Sequence, residues 1–252
     1  MFPLHHKLSL VAASLPTCSG PGVPNTIFCA ISRRQPITAD QFARYAYANQ
    51  PNIAQWNLAR LAETLLPLLA EDEEKALGVA RDSLASFAEI FQAAYLGGLR
   101  RKLGLAAERE GDAALAQDLL RLMVENHADF TLSFHLLCAA SAGTEGDAAM
   151  RAPFADGCAY DAWAAHWRRR MTEDTMDPDA RSAAMRAVNP AYIPRNHLVE
   201  EALDAAVTRQ DFAPFEQLLE VLSRPFEERA GYECYATPPA PEERVQQTFC
   251  GT

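Results

Sequence analysis

Transfer of a phosphoryl or nucleotidyl group needs a cradle for the phosphates, a cation to neutralise them, and carboxylate or amide ligands for magnesium. Positioning and charge stabilisation do nearly all the work in such reactions. The 252-residue sequence carries no G-x-x-x-x-G-K-S/T loop, and Gly97-Gly98 sits inside a helical pattern instead of following a strand. Asp129-Phe130 and Asp211-Phe212 begin like an Asp-Phe-Gly metal motif. Thr131 and Ala213 follow them, and each aspartate stands where a helix cap is expected, so both are read as caps.

Other chemistries fare no better. His127, His135, His166 and His197 with Cys138 and Cys158 form the candidate transition-metal set, and His135 and Cys138 share a helix face. No C-x-x-C, H-x-x-x-H or H-E-x-x-H spacing supports a site, so isolated histidines making hydrogen bonds are the expectation. No G-x-S-x-G elbow marks a nucleophilic serine. The carboxylate pairs Glu73-Glu74 and Glu200-Glu201 have the spacing of solvated helix faces.

The elements that would position these residues are helical. Asn49 can cap a helix with Pro51 in its first turn, and Ile53, Trp56, Leu61, Leu65, Leu68 and Leu69 supply its apolar stripe until Pro67 kinks or ends it. A second helix is predicted from about Asp72 to Lys102, with Leu77, Ala80, Leu84, Phe87, Phe91, Ala94 and Leu99 at three-four spacing and Gly104 as its stop. Asp112 is expected to cap a helix bearing Leu115, Leu119, Leu122 and Met123, and Asp129 another bearing Leu132, Leu136 and Leu137.

After a segment from Ser141 to Gly157 expected to be flexible, Tyr160, Trp163 and Trp167 lie on one helix face and are read as core. Asp177-Pro178 opens a short helix through Val188, Asn189-Pro190 breaks it, and further helices follow from Arg195 to Arg209 and after Asp211 with Pro214. Prolines interrupt both ends: residues 1–38 are expected to be irregular, residues 39–222 helical, and residues 223–252 an extended tail. No hairpin or strand-pair signal occurs, which makes the expected fold class mainly α with irregular ends.

Composition narrows the partners. With 49% hydrophobic residues the chain can bury one sizeable core or two small ones. A formal net charge of −10, from 33 acidic against 23 basic residues, opposes phosphate-backbone binding, so no nucleic-acid partner is expected. The run Arg168-Arg169-Arg170 is read as the solvated or dipole-facing end of a helix. No apolar stretch is long enough for a membrane span, and the short run Leu8–Leu15 after Lys7 is too brief for a secretory signal. Six scattered cysteines, Cys18, Cys29, Cys138, Cys158, Cys234 and Cys250, fit reduced thiols in a cytoplasmic protein better than a disulfide scaffold.

Three separated stretches resemble the selenoprotein O family of kinase-like protein adenylyltransferases, in the family's order. They are Arg44-Tyr45-Ala46-Tyr47 with Asn49-Gln50-Pro51 and Trp56-Asn57-Leu58, then Met185, Asn189-Pro190, Tyr192 and Arg195-Asn196, and last Leu222-Ser223-Arg224-Pro225 with Tyr232 and Tyr235. The resemblance covers roughly residues 40–252 and implies the helical C-terminal half of a kinase-like fold. It implies AMP transfer from ATP to hydroxyl side chains of acceptor proteins, with ATP and magnesium used by the full-length family.

The family's Asn-Thr-Asp-Asn and Asp-Tyr-Gly-Pro motifs lie upstream of the matched region. In this chain Ile27 follows Asn25-Thr26 and no Asp-Tyr-Gly occurs, so no catalytic, metal or cofactor-binding residue is carried over. The expectation is a truncated or frame-disrupted chain, inactive alone. A noncatalytic helical module for a protein partner, covering an apolar face left by the missing half, is the alternative. An unrelated small-molecule enzyme would instead require a closed pocket with perturbed titrating residues.

In the family a selenocysteine or cysteine often stands third from the C-terminus, where Cys250 stands here. The resemblance therefore implies a redox role for Cys250, paired with Cys29 or Cys234, against the alternative of an inert tail cysteine. The family's usual partner position falls near Pro36, several residues after Cys29.

Overall fold

A computed structural model describes residues 50–154 and 156–245. Ten α-helices occur among the described residues, and no strand does. They are α1 (Gln50–Leu69), α2 (Glu73–Lys102), α3 (Asp112–Glu125), α4 (Phe130–Ala140), α5 (Asp147–Arg151), α6 (Gly157–Thr172), α7 (Pro178–Arg186), α8 (Asn196–Arg209), α9 (Ala213–Ser223) and α10 (Glu233–Ala236). The chain divides into two compact units between Gly97 and Gly98, within α2.

In the first unit, Leu66 of α1 packs with Ala76, Leu77 and Ala80 of α2, with Ala62 and Ala70 beside them. The expected cap at Asn49 lies outside the described residues. Pro67 sits in the last turn of α1, which ends two residues later. One expectation is corrected here. Of the expected stripe, Trp56, Leu61, Leu65, Leu68 and Leu69 are exposed and Ile53 is half-buried, whereas the buried positions of α1 are Pro51, Gln55, Ala59 and Leu66. Small side chains let the two helices approach closely, whereas the leucine stripe lies on a neighbouring face. Asp72 caps α2 by accepting the Lys75 amide at 2.8 Å.

The second unit holds the larger core, in which Leu103, Leu119, Leu137, Met150, Tyr160, Trp167 and Met185 are fully buried. Helix α3 packs on α6, α4 on α5 and α7, and α8 on α9. Gly104 ends α2 with φ +68°, while the Leu105 amide reaches back to the Arg100 carbonyl at 2.9 Å. A Cβ there would meet Met185 Sδ at 2.6 Å, so the turn needs glycine for both its conformation and its packing. The aromatic face of α6 is core as expected: Trp163 stacks on Trp167 at 5.4 Å, and their indole N–H groups donate to the carbonyls of Leu115 and Leu103, each at 2.9 Å.

Three local expectations differ from the structure. Asp112 is the first residue of α3, preceded by Gly111 at φ +91°, and its side chain pairs with Arg170 instead of capping the helix. The segment after Ser141 contains a 3-10 turn at Thr144–Gly146 and helix α5, with Asp147, Met150 and Phe154 buried. Beyond Ser223 the chain turns back, forms α10, and packs Tyr232, Tyr235 and Ala236 against Ala191, Tyr192 and Val221. The prolines there stop long helices without preventing burial of the tyrosines.

Candidate functional site

Polar side chains converge around the segment from Asn189 to Arg195, between α7 and α8. Pro190 cannot continue a helix, and the residue before a proline is pushed out of the helical region, so α7 ends and the side chains of this segment turn inward. Asn189 is fully buried. Its amide nitrogen donates to the Lys102 carbonyl at 3.0 Å and lies 3.5 Å from Cys138 Sγ, while its oxygen accepts from Lys102 Nζ at 3.1 Å. Lys102 Nζ also donates to the Val188 carbonyl at 3.1 Å and lies 5.2 Å from the Phe134 ring centroid.

Burial pushes the Lys102 ammonium pKa down and the Cys138 thiol pKa up. A buried thiol with a raised pKa is a poor nucleophile, and this ammonium is occupied by two oxygens. The cluster therefore locks the end of α2 to the turn after α7.

Three and six residues farther on, Tyr192 and Arg195 complete the frame. The Tyr192 hydroxyl accepts the Arg229 amide at 2.9 Å, and the Ala191 and Tyr192 amides donate to the Pro225 carbonyl at 2.8 and 3.1 Å. Arg195 holds both oxygens of Asp129 at 3.0 and 3.1 Å and donates to the Ala236 carbonyl at 2.7 Å. Asp129 meanwhile accepts the Leu132 amide at 2.8 Å, so the expected cap is present and one carboxylate serves two elements. The residues Asn189, Tyr192 and Arg195 thus come together with Pro225, Tyr232 and Tyr235, two of the three sequence stretches singled out above.

A second buried network lies at the end of α6. Arg170 reaches Asp112 at 2.7 Å, Asp174 at 3.1 Å and the Ala107 carbonyl at 2.6 Å, and Arg168 reaches Asp147 at 2.5 Å. Asp147 also accepts the Tyr160 hydroxyl at 2.8 Å. The basic run is therefore not simply a solvated helix end: Arg170 is buried and Arg168 is ion-paired. Burial acts to raise the Asp174 pKa, but the Ala106 amide and the Arg170 guanidinium hold it below the usual carboxylate range.

Among the redox candidates, Cys234 is a free, exposed thiol on α10, between Tyr232 and Tyr235, whose rings lie 6.0 Å apart. Cys29 and Cys250 lie outside the described residues. Of the histidines, His135 approaches Glu228 at 3.7 Å. Among the described residues, no three His, Cys, Asp or Glu side chains converge as metal ligands.

Sequence reasoning missed Lys102, Asp112, Asp147 and Asp174. The basic last turn of α2 was visible, but its acceptors lie more than eighty residues away along the chain.

Comparison with known proteins identifies what these anchor residues belong to. The family described as protein adenylyltransferase SelO matches residues 35–223. A protein nucleotidyltransferase YdiU from Methylorubrum extorquens strain PA1 is 56% identical over 219 residues, covering 84% of this chain and 44% of the relative. Proteins of the same name from Bradyrhizobium diazoefficiens and Rhodopseudomonas palustris strain BisB5 are 53% and 51% identical. They cover 84% and 91% of this chain and 43% and 45% of their own lengths. The chain spans less than half the length of these curated relatives. With three quarters of its length matched and half of the aligned residues identical, the chain belongs to the SelO protein adenylyltransferase family.

Proposed function

We propose that this chain supplies the helical C-terminal portion of a kinase-like protein adenylyltransferase, and that AMP transfer requires family sequence beyond the stretch present here. The reaction joins an acceptor hydroxyl oxygen of a protein to the α-phosphorus of ATP and releases pyrophosphate. The observation that carries this reading is the family match over residues 35–223 in a chain spanning 44% of a 56%-identical relative.

Magnesium, which the family implies, does not fit the described side chains. The buried or half-buried carboxylates Asp112, Asp129, Asp147 and Asp174 are each engaged by an arginine, which supplies the positive charge a metal would otherwise bring. No step through the metal is assigned to these residues. Through these arginines they tie α3 and α5 to α6, and the start of α4 to the start of α8 and the chain after Ser223.

Incubation with labelled ATP, magnesium and a protein acceptor tests the proposal, with this chain alone beside this chain extended by the remaining family sequence. Label should pass to the acceptor only in the extended case. Equal transfer by this chain alone would overturn it.

The cytoplasmic reading rests on the scattered cysteines, of which Cys138, Cys158 and Cys234 are free among the described residues, and on the acidic balance. The redox reading rests on the exposed Cys234 thiol and the position of Cys250. Oxidation should remove two hydrogens in a peptide joining Cys250 to Cys234 or Cys29, read by mass spectrometry. An unchanged mass for all three sinks the pair.

The noncatalytic alternative draws on one observation, the leucines exposed along α1. Such a module would bind its protein partner without transferring AMP in either arm of the labelled-ATP experiment.

A further inference from the structure

Helix α1 presents Leu58, Leu61, Leu65, Leu68 and Leu69 to solvent, with Leu61 52% and Leu68 81% exposed. The first four follow a 3-4-3 spacing, the alternation that keeps side chains on one seam of a helix. Trp56 faces another direction and is partly covered by Arg60, whose guanidinium lies 5.6 Å from the ring centroid. The seam carries no charge: Arg60 and Glu63, which pair with each other at 2.7 Å, fall on another face of the helix. Apolar residues in a row, depleted of charge, have the composition of an interface core.

We propose that the leucine seam of α1 is the surface on which the stretch of SelO-family sequence not spanned by this chain packs. The inference rests on the reading that AMP transfer needs that stretch, and it identifies where the stretch docks. Length supports this occupant, since 56% of the Methylorubrum extorquens relative lies beyond the 44% that this chain covers, and those residues must meet the shared portion somewhere. A second copy of this chain is less favourable, because two bodies of net charge −10 would be brought together.

The test is co-expression of the full chain, tagged, with the remaining segment of the Methylorubrum extorquens relative. The segment should co-purify in equal amount with the wild-type chain. The double variant Leu61→Glu and Leu65→Glu should lose it at least tenfold, while Leu203→Glu with Val207→Glu, on the exposed side of α8, should retain it. Hydroxyl-radical footprinting of the wild-type pair covers the case in which the seam variant fails to fold: Leu61, Leu65 and Leu68 should be protected by the co-expressed segment.

Retention by a folded seam variant, unprotected leucines, or no co-purification with wild type would overturn the proposal. So would a wild-type homodimer that the seam variant converts to monomer. Co-purification is read without ATP, so a pair that assembles through the seam yet transfers no AMP counts against the function and leaves the docking surface standing.

Discussion

Asn189 shows how one short side chain can define a junction. It satisfies the last-turn carbonyl of α2, accepts from the Lys102 ammonium and faces the Cys138 thiol, all without exposure to water. Replacing Asn189 by Ala would leave a buried carbonyl and a partly buried ammonium each one partner short, and would open a small cavity. The expected loss is about 2–4 kcal/mol of unfolding free energy, measured by urea denaturation. A loss below about 0.5 kcal/mol would mean that water replaces the amide at little cost. Asp112 and Asp129 carry a related lesson. Both looked like caps, but only Asp129 is one, because Gly111 already supplies the turn before α3 and frees Asp112 to meet Arg170. Local propensity describes what an aspartate can do beside a helix, and a buried guanidinium decides otherwise.

At the scale of elements, α1 and α6 stand at opposite ends. Helix α6 buries Tyr160, Trp163 and Trp167 and ties both indoles to backbone carbonyls of other elements. Helix α1 buries Pro51, Gln55, Ala59 and Leu66 and exposes its other leucines. Amides of α1 should therefore exchange with solvent deuterium well before those of α6 in the chain by itself, read by hydrogen-exchange mass spectrometry. Equal protection would show that α1 is held by contacts beyond its small described core. Helix existence and approximate limits were legible in the sequence: α2 ends at Lys102 before Gly104, and α7 starts after Asp177, which accepts the Asp179 and Ala180 amides. The inward face of α1 was not legible. A leucine stripe and an alanine stripe on adjacent faces of one helix satisfy the same periodicity, and only the shape of the partner helix selects between them.

Across the whole molecule, the described residues of the second unit form a helical body pinned by arginines, and those of the first form a helix pair with exposed leucines along α1. The chain spans less than half the length of the curated relatives it matches. The labelled-ATP experiment is a measurement at this scale, since transfer chemistry needs groups that no single helix here provides.

The sequence by itself determined the helical class, the aromatic core of α6, the glycine stop at Gly104 and the family resemblance, because periodicity, capping and short motifs are local properties of the chain. Tertiary structure decided that Asn189, Tyr192 and Arg195 act as anchors, that Arg170 is buried between two aspartates, and that Leu66 of α1 is buried while its other leucines are exposed. Those outcomes depend on which distant segment supplies the partner: a hydrogen bond from Asn189 to Lys102 spans 87 residues, and nothing in either local sequence encodes the meeting.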